Sequence, residues 1–389
     1  VKIFNKNLAS LSICALFVNT LLLTACQTNS QSTAVAAKPI AAPAPAAKKL
    51  HELPNTEVFL FESKETGNTY NISVAFPGSY DPADKNKTYP VVYVIDAQWQ
   101  YPLMYTTYGA VNYDGEMPDA ILVGVSWKET NNNLMQLREQ DLTPTTVAEN
   151  QKSGNAKKFQ AFFRNELFPH IENNYKGGKD RTVTGGSTSA LFVFYTLISQ
   201  PDLFTGYIGS SPSLYWDNHA INKILAEFPK NGIKQKTRAW LAWGSLETED
   251  DSKAFAKKLM AKKIANLEFG YAAVENAGHA SVNPECYTRG LQFVYAKPEL
   301  KLNAKKLAQF EGTYQSKADH EKIIFSVARN DLYVQSPGNK KYKLSSASEH
   351  EFYLKGNGLE YNFTLNDQSK PSSVTQYFHG SPVEFVPQQ

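Results

Sequence analysis

The sequence predicts an α/β protein: a doubly wound, mostly parallel sheet followed by a small all-β module. Three observations predict it. Between about residue 56 and residue 298, short apolar runs alternate with segments of helical period. Two of the runs, 90–95 (Pro-Val-Val-Tyr-Val-Ile) and 121–125 (Ile-Leu-Val-Gly-Val), lack polar residues, as expected of strands covered on both faces. Beyond Pro298 the helical period gives way to two-residue alternation broken by Gly, Pro and Asn turns. At 389 residues, 42% hydrophobic and 20% charged, the chain can bury a large core across two domains, and wholesale disorder or a polytopic membrane fold is excluded.

The first 25 residues read as an address. Lys2 and Lys6 precede a largely apolar stretch, 8–23, that ends in Leu23-Thr24-Ala25-Cys26. A charged start, a short apolar run and small residues before a cut describe a secretory signal. Its ending resembles the bacterial lipobox, which implies that Cys26 is acylated and becomes the new N-terminus. The bland alternatives are a signal with an incidental Cys, or an uncleaved anchor. Val1 reads as a GTG start codon, which would make the chain the full precursor. Gln27 after the Cys, by resemblance to the enterobacterial sorting rule, implies the outer membrane, facing the periplasm. Residues 26–52 are rich in Ala, Pro, Ser and Thr without any period, and are expected to be an extended tether.

Charge and cysteine content narrow the partners. The 40 Lys and Arg against 37 Asp and Glu fall to 38 against 37 once Lys2 and Lys6 are removed, so there is no electrostatic case for nucleic acid. Three cysteines exclude a disulfide scaffold and a Cys-based structural zinc. With the signal gone and Cys26 lipidated, Cys286 has no partner.

The expected sheet domain, 53–299, opens with a hairpin: strands at 58–61 and 70–76 around Thr66-Gly67-Asn68. After the strands at 90–95 and 121–125, Phe159, Phe162, Phe163, Leu167, Ile171 and Tyr175 recur at helical spacing. Further strands are expected at 182–184, 207–209, 239–243 and 268–274. Helices are expected at 190–198, 218–228, 251–261 and 286–295. In the module, 300–389, strands are expected at 323–327, 332–334, 352–354 and 361–365, separated by turns such as Lys355-Gly356-Asn357-Gly358.

The chemistry concentrates at three points. The strand at 182 runs into Gly185-Gly186-Ser187-Thr188-Ser189 and then a helix. That is the setting of a G-x-S-x-G elbow, whose small residues let the chain turn sharply and leave a serine hydroxyl above the sheet. Gly185 fits the first glycine, whereas Ser189 and Ala190 stand where glycine is usual. Ser189 is the alternative nucleophile, and a Gly-Ser loop without chemistry is the bland reading. The run Trp240-Leu241-Ala242-Trp243 leads through Gly244-Ser245-Leu246 to Glu247, a carboxylate just past a strand, with Glu249, Asp250 and Asp251 as competitors. The last strand of the sheet leads through Glu275-Asn276-Ala277-Gly278 to His279, a residue able to take and return a proton near neutrality. Serine, acid and histidine follow in the chain order of the α/β-hydrolases. The other histidines, 51, 170, 219, 320, 350 and 379, are read as structural or exposed.

Several segments then carry a family resemblance. Tyr89-Pro90-Val91-Val92-Tyr93-Val94-Ile95-Asp96, Arg138-Glu139-Gln140-Asp141-Leu142-Thr143-Pro144, Pro201-Asp202-Leu203-Phe204, Ser211-Pro212-Ser213-Leu214-Tyr215-Trp216 and Gly278-His279-Ala280-Ser281 occur in order. Together, over about 57–297, the chain resembles the α/β-hydrolase branch of esterase D, the feruloyl esterases, the mycolyltransferases and the siderophore trilactone esterases. It departs from that family at Ala97, where Gly is usual, and at the elbow. The resemblance implies an oxyanion hole from the backbone N–H groups of Gln98 and Thr188, and a substrate surface from Trp99, Arg138, Tyr215 and Trp216. For Arg138 a plain pair with Asp141 is the alternative.

The module's Phe310-Glu311-Gly312-Thr313-Tyr314 resembles the opening of a lipocalin-like, β-barrel-like domain, expected to serve in packing or as a lid. The leading expectation is a serine carboxylic ester hydrolase acting through an acyl-serine intermediate on a small-molecule ester, siderophore-type or aromatic. An acyltransferase on the same residues, or a non-catalytic binding lipoprotein of this fold, are the alternatives. No Walker loop, H-E-x-x-H or strand-linked G-x-G-x-x-G is present, so no metal or other cofactor is expected.

Overall fold

A computed structural model describes residues 52–128, 133–228, 232–247 and 251–388. The expected signal peptide, Cys26 and nearly all of the tether lie outside the described residues, as do Glu249 and Asp250.

The hairpin forms as expected. Strand β1 (Thr56–Glu62) pairs with β2 (Thr69–Ala75) in antiparallel register from Thr56 opposite Ala75 to Glu62 opposite Thr69. The remaining strands of this sheet are β3 (Tyr89–Ile95), β4 (Ile121–Trp127), β5 (Gly177–Gly186), β6 (Gly206–Ser210), β7 (Thr237–Gly244) and β8 (Leu267–Val274). Their order is β1-β2-β4-β3-β5-β6-β7-β8. Strand β2 runs antiparallel to β4, and every pairing from β4 to β8 is parallel.

Helices cover both faces. They are α1 (Ala97–Tyr113), α2 (Leu134–Leu142), α3 (Ala156–Phe162), α4 (Phe168–Tyr175), α5 (Thr188–Ser199), α6 (Trp216–Ala226), α7 (Asp251–Ala261) and α8 (Asn283–Val294). In β3 the side chains alternate between two cores: Val91, Tyr93 and Ile95 meet the α3–α5 side, and Val92 and Val94 meet α1 and α8. Two apolar faces explain why the strand reads as one unbroken apolar run. On the first face Phe159, Phe162, Phe163, Phe192 and Phe194 are fully buried, each contributing about 1.5–3 kcal/mol by burial.

In the sheet domain α2 was not expected, and three other features differ from the sequence expectation. The helical spacing from Phe159 to Tyr175 is interrupted by a π turn, Phe163–Leu167, between α3 and α4. Helix α1 was not expected, because Pro102 stands inside it and its polar and aromatic residues show no clear stripe. Helix α6 contains Asp217, Asn218 and His219 in the left-handed region (φ 46°, 51° and 61°), a kink that periodicity does not reveal.

The C-terminal strands form a second sheet. They are β9 (Gly312–Ser316), β10 (Lys322–Ala328), β11 (Asp331–Gln335), β12 (Tyr342–Lys343), β13 (Ser345–Ser346), β14 (Glu351–Tyr353), β15 (Leu359–Leu365), β16 (Pro371–Phe378) and β17 (Ser381–Pro387), preceded by the one-turn α9 (Ala304–Ala308). Every pairing in it is antiparallel, in the order β12-β11-β10-β9-β17-β16-β15-β14-β13. The two end strands are joined through Leu344, so the sheet is nearly a barrel. Phe310, Tyr314, Phe325, Phe352 and Phe363 pack together in its interior.

This module is not a lid. It meets the C-terminal end of α1, where the Gly358 N–H donates to the Asp114 carbonyl (3.0 Å) and His379 stacks on Tyr113 (4.6 Å). Helix α1 starts at the C-terminal edge of the parallel strands, and its 17 residues span about 25 Å. The module therefore packs beneath the sheet, away from the edge that carries the candidate site.

Candidate active site

Strand order places the site. The chain runs from β3 to β4 on one side and to β5 on the other, so the sheet switches direction between β3 and β5. Ligands of open α/β sheets bind at such a switch, beyond the C-terminal ends of the strands. Asp96 follows β3 there, Ser187 follows β5, Glu247 lies three residues past β7, and His279 lies five past β8.

Ser187 sits at φ 60° and ψ −120°, a conformation that a residue with a side chain rarely takes. The surrounding packing holds it. Its N–H donates to the Ser210 carbonyl (2.9 Å), and its own carbonyl accepts from Leu191 N–H (3.0 Å) and Ser213 N–H (3.2 Å). Ser187 Oγ lies 3.2 Å from Ser213 Oγ. Ser189 has a different place: it is fully buried, accepts from Gly186 N–H (2.9 Å) and donates to the Gly186 carbonyl (2.7 Å). It closes the turn internally where the usual motif carries glycine. Gly185 makes room for it, since a Cβ there would stand 2.6 Å from Ser189 Oγ.

Glu247 and His279 are brought together across 32 residues. Glu247 Oε2 lies 2.9 Å from His279 Nδ1. Glu247 Oε1 accepts from the Gly244 N–H (2.7 Å) and from Ser211 Oγ. Burial alone would raise this carboxyl, but the Ser211, His279 and Gly244 donors outweigh it and hold the group below the usual carboxylate range. Backbone bonds from Leu246 N–H to the Ala277 carbonyl (3.0 Å) and from Ser245 N–H to the Val274 carbonyl (2.9 Å) tie the two loops together. With Nδ1 protonated and donating to Glu247, His279 Nε2 carries a lone pair and has no hydrogen bond among the described residues. Asp251, one of the competing acids, pairs instead with His219 Nε2 (2.9 Å).

The N–H groups of Gln98 and Thr188 occupy the first turns of α1 and α5, and neither has an acceptor among the described residues. Unpaired donors and the positive end of the helix dipole make such turns receptive to negative charge. The four expected substrate contacts divide. Trp99 and Tyr215 are exposed, whereas Trp216 is half-buried against the core and spends its indole N–H on the Thr145 carbonyl (3.1 Å). Arg138 is buried and makes a two-pronged pair with Asp96, Nε to Oδ1 at 2.7 Å and Nη2 to Oδ2 at 2.8 Å, with Trp99 lying over its guanidinium. Its partner is thus Asp96 and not Asp141, whose carboxylate takes Asn68, Tyr70 and Trp127 instead. Asp96, Ser211 and Ser213 are the polar neighbours that sequence reasoning did not assign to the site. Their only signal was membership of the segments that carry the family resemblance.

A mostly parallel sheet, helices on both faces and a strained serine elbow at the switch point define an α/β-hydrolase. The sequence model of the "Putative esterase" family matches residues 63–275, more than half of the chain. The chain belongs to this family and is an esterase. It is similar to the ferri-bacillibactin esterase BesA of Bacillus subtilis, 30% identical over 266 residues that cover 62% of this chain and 90% of that one. It is also similar to the siderophore triacetylfusarinine C esterase of Aspergillus fumigatus, 26% identical over 50% of this chain and 69% of that one. Among solved structures, the BES protein from Bacillus cereus superposes with a TM-score of 0.58 at 28% identity, over 64% of this chain and 97% of the other.

Proposed function

We propose that this esterase works through an acyl-Ser187 intermediate, with His279 as base and Glu247 as the acid that orients it. The Glu247–His279 pair, set on the same sheet edge as the Ser187 elbow, carries this reading. Ser187 Oγ attacks the ester carbonyl while His279 Nε2 takes its proton. The carbonyl oxygen gains the negative charge and is met by the Gln98 and Thr188 N–H groups, donors already in place before the charge develops. His279 then returns the proton to the departing alcohol. Water, deprotonated by the same Nε2, attacks the acyl-serine; the Oγ–acyl bond breaks, Ser187 Oγ takes that proton from His279, and the carboxylic acid is released. Trp99 and Tyr215 supply the apolar substrate surface, and Arg138 supports Trp99 from below.

The substrate is a small-molecule ester of the siderophore type, a reading supported by the likeness to two siderophore esterases. We further propose that Cys26 carries the lipid anchor and that the protein faces the periplasm from the outer membrane. Metabolic labelling with a palmitate analogue should mark the wild type and not Cys26→Ala; an unlabelled wild type rejects the anchor.

The mechanism is tested by fluorophosphonate labelling of the intact protein and of Ser187→Ala, together with kcat on p-nitrophenyl acetate and on a siderophore trilactone. Ser187→Ala and His279→Ala should each lower kcat by about 10³-fold or more, and the double variant should lose little beyond that, because such groups act as a unit. Glu247→Gln should cost less. A Ser187→Ala variant that still labels and turns over would reject the nucleophile.

A further inference from the structure

We propose that Ser211 is a positioning residue for the ester hydrolysis: its hydroxyl donates to Oε1 of Glu247 and so orients the carboxylate whose Oε2 holds His279. The inference rests on the reading of Ser187, Glu247 and His279 given above, and adds a fourth side chain to it.

Glu247 reaches its site from a loop, through a flexible side chain. One oxygen faces His279, and unless the other is fixed the carboxylate can rotate and carry the imidazole with it. The backbone N–H of Gly244 is one anchor on that oxygen. Ser211 Oγ is the second, and it comes from a different strand end. Two donors from two directions define the carboxylate plane, whereas one leaves a hinge.

The placement of Ser211 suits this task and little else. It is 2% exposed, so its hydroxyl does not serve solvent. Its N–H is bonded to the Ala242 carbonyl (2.8 Å), which locks the turn after β6 onto the strand that leads to Glu247. Its φ is 44°, in the left-handed region that favours glycine, and Pro212 follows it. A side chain is kept where the backbone would be relieved by having none. The preceding residue, Ser210, accepts the Ser187 N–H on its carbonyl, so this turn contacts both the nucleophile's backbone and the acid's side chain.

The left-handed φ also supplies a clean experiment. Ser211→Ala removes the hydroxyl and keeps the backbone strain, while Ser211→Gly removes the hydroxyl and relieves it. Both should lower kcat on p-nitrophenyl acetate by about 10- to 100-fold, the scale of one hydrogen bond to a charged group, with KM little changed because Ser211 does not reach the substrate. On a Glu247→Ala background, where the acceptor is gone, Ser211→Ala should cost less than about twofold further. Wild-type kcat in both single variants overturns the proposal. So does an equal loss in the presence and absence of Glu247, or a loss in Ser211→Ala that Ser211→Gly restores, since the backbone and not the hydroxyl would then be responsible. If Ser187→Ala itself keeps wild-type turnover, the underlying nucleophile reading fails and takes this one with it. If Ser187→Ala is inactive while both Ser211 variants are normal, only the role of Ser211 is lost.

Discussion

Replacing Gly244 with alanine should drive the acid and the histidine apart, and the structure sets the distance. A Cβ on Gly244 would stand 2.3 Å from the Ala277 carbonyl oxygen, 2.7 Å from the carbonyl carbon and 2.8 Å from the Gly278 oxygen. All three are backbone atoms, so no side chain can rotate out of the way. Ordinary contact, about 3.5 Å, requires the loops to separate by about 1 Å. The bonds from Leu246 N–H and Ser245 N–H to the facing loop oppose that movement, and relieving the clash strains both. Because Glu247 lies three residues beyond Gly244 and His279 two beyond Ala277, the shift falls on the Glu247–His279 contact. A misplacement of about 1 Å can cost about 10²-fold in rate. We expect kcat on p-nitrophenyl acetate to fall by about that factor with KM nearly unchanged, since neither residue forms the apolar substrate surface. The neighbouring Gly278→Ala is the control: its Cβ would meet only Ser281 Oγ, at 3.9 Å. Thermal melting followed by circular dichroism separates misplacement from unfolding. Wild-type kcat in a folded Gly244→Ala protein would refute the idea that this close approach sets the acid–base contact.

Three further outcomes are expected. Arg138→Met leaves the buried Asp96 carboxylate without its main partner and should destabilise the fold by about 3–5 kcal/mol in urea titrations; a change below about 1 kcal/mol would contradict the burial argument. Glu247, held below the usual carboxylate range when folded, contributes stability that is complete above its unfolded value of about 4.3 and is lost as pH falls through the lower folded value. The stability difference between wild type and Glu247→Gln should therefore narrow on acidification below that point, and a gap that widens there reverses the sign of the reasoning. A chain ending at Lys301 should keep esterase activity while melting at a lower temperature, because it loses the Tyr113–His379 stack and the Gly358–Asp114 bond beneath the sheet. Loss of activity in a truncated protein that is still folded would place the module in the site.

Much of the architecture could be read directly from residue order. A buried strand must present apolar side chains to both sides, so 90–95 and 121–125 could hardly be anything else. The hairpin was legible because two alternating runs flank Thr66-Gly67-Asn68, and the elbow because small residues surround a serine between strand and helix. Helix α1 escaped because Pro102 and a mixed face hide its period, and the last two strands of the module because their alternation is diluted by Ser, Thr and Pro.

The chain by itself also placed serine, acid and histidine in order, each just past a strand. What it left open was which acid faces the histidine, which serine faces solvent, and whether Arg138 serves the substrate surface or pairs with Asp141. The parallel strands and their order bring Glu247 to His279, bury Ser189 inside its own turn, and carry Arg138 to Asp96 across 42 residues. They also brought Ser211 to Glu247 across 36. The reason is physical: apolar periodicity is a local pattern and is written in neighbouring residues. A hydrogen bond between strand ends depends on which strands lie side by side, and that is decided only when the whole sheet has formed.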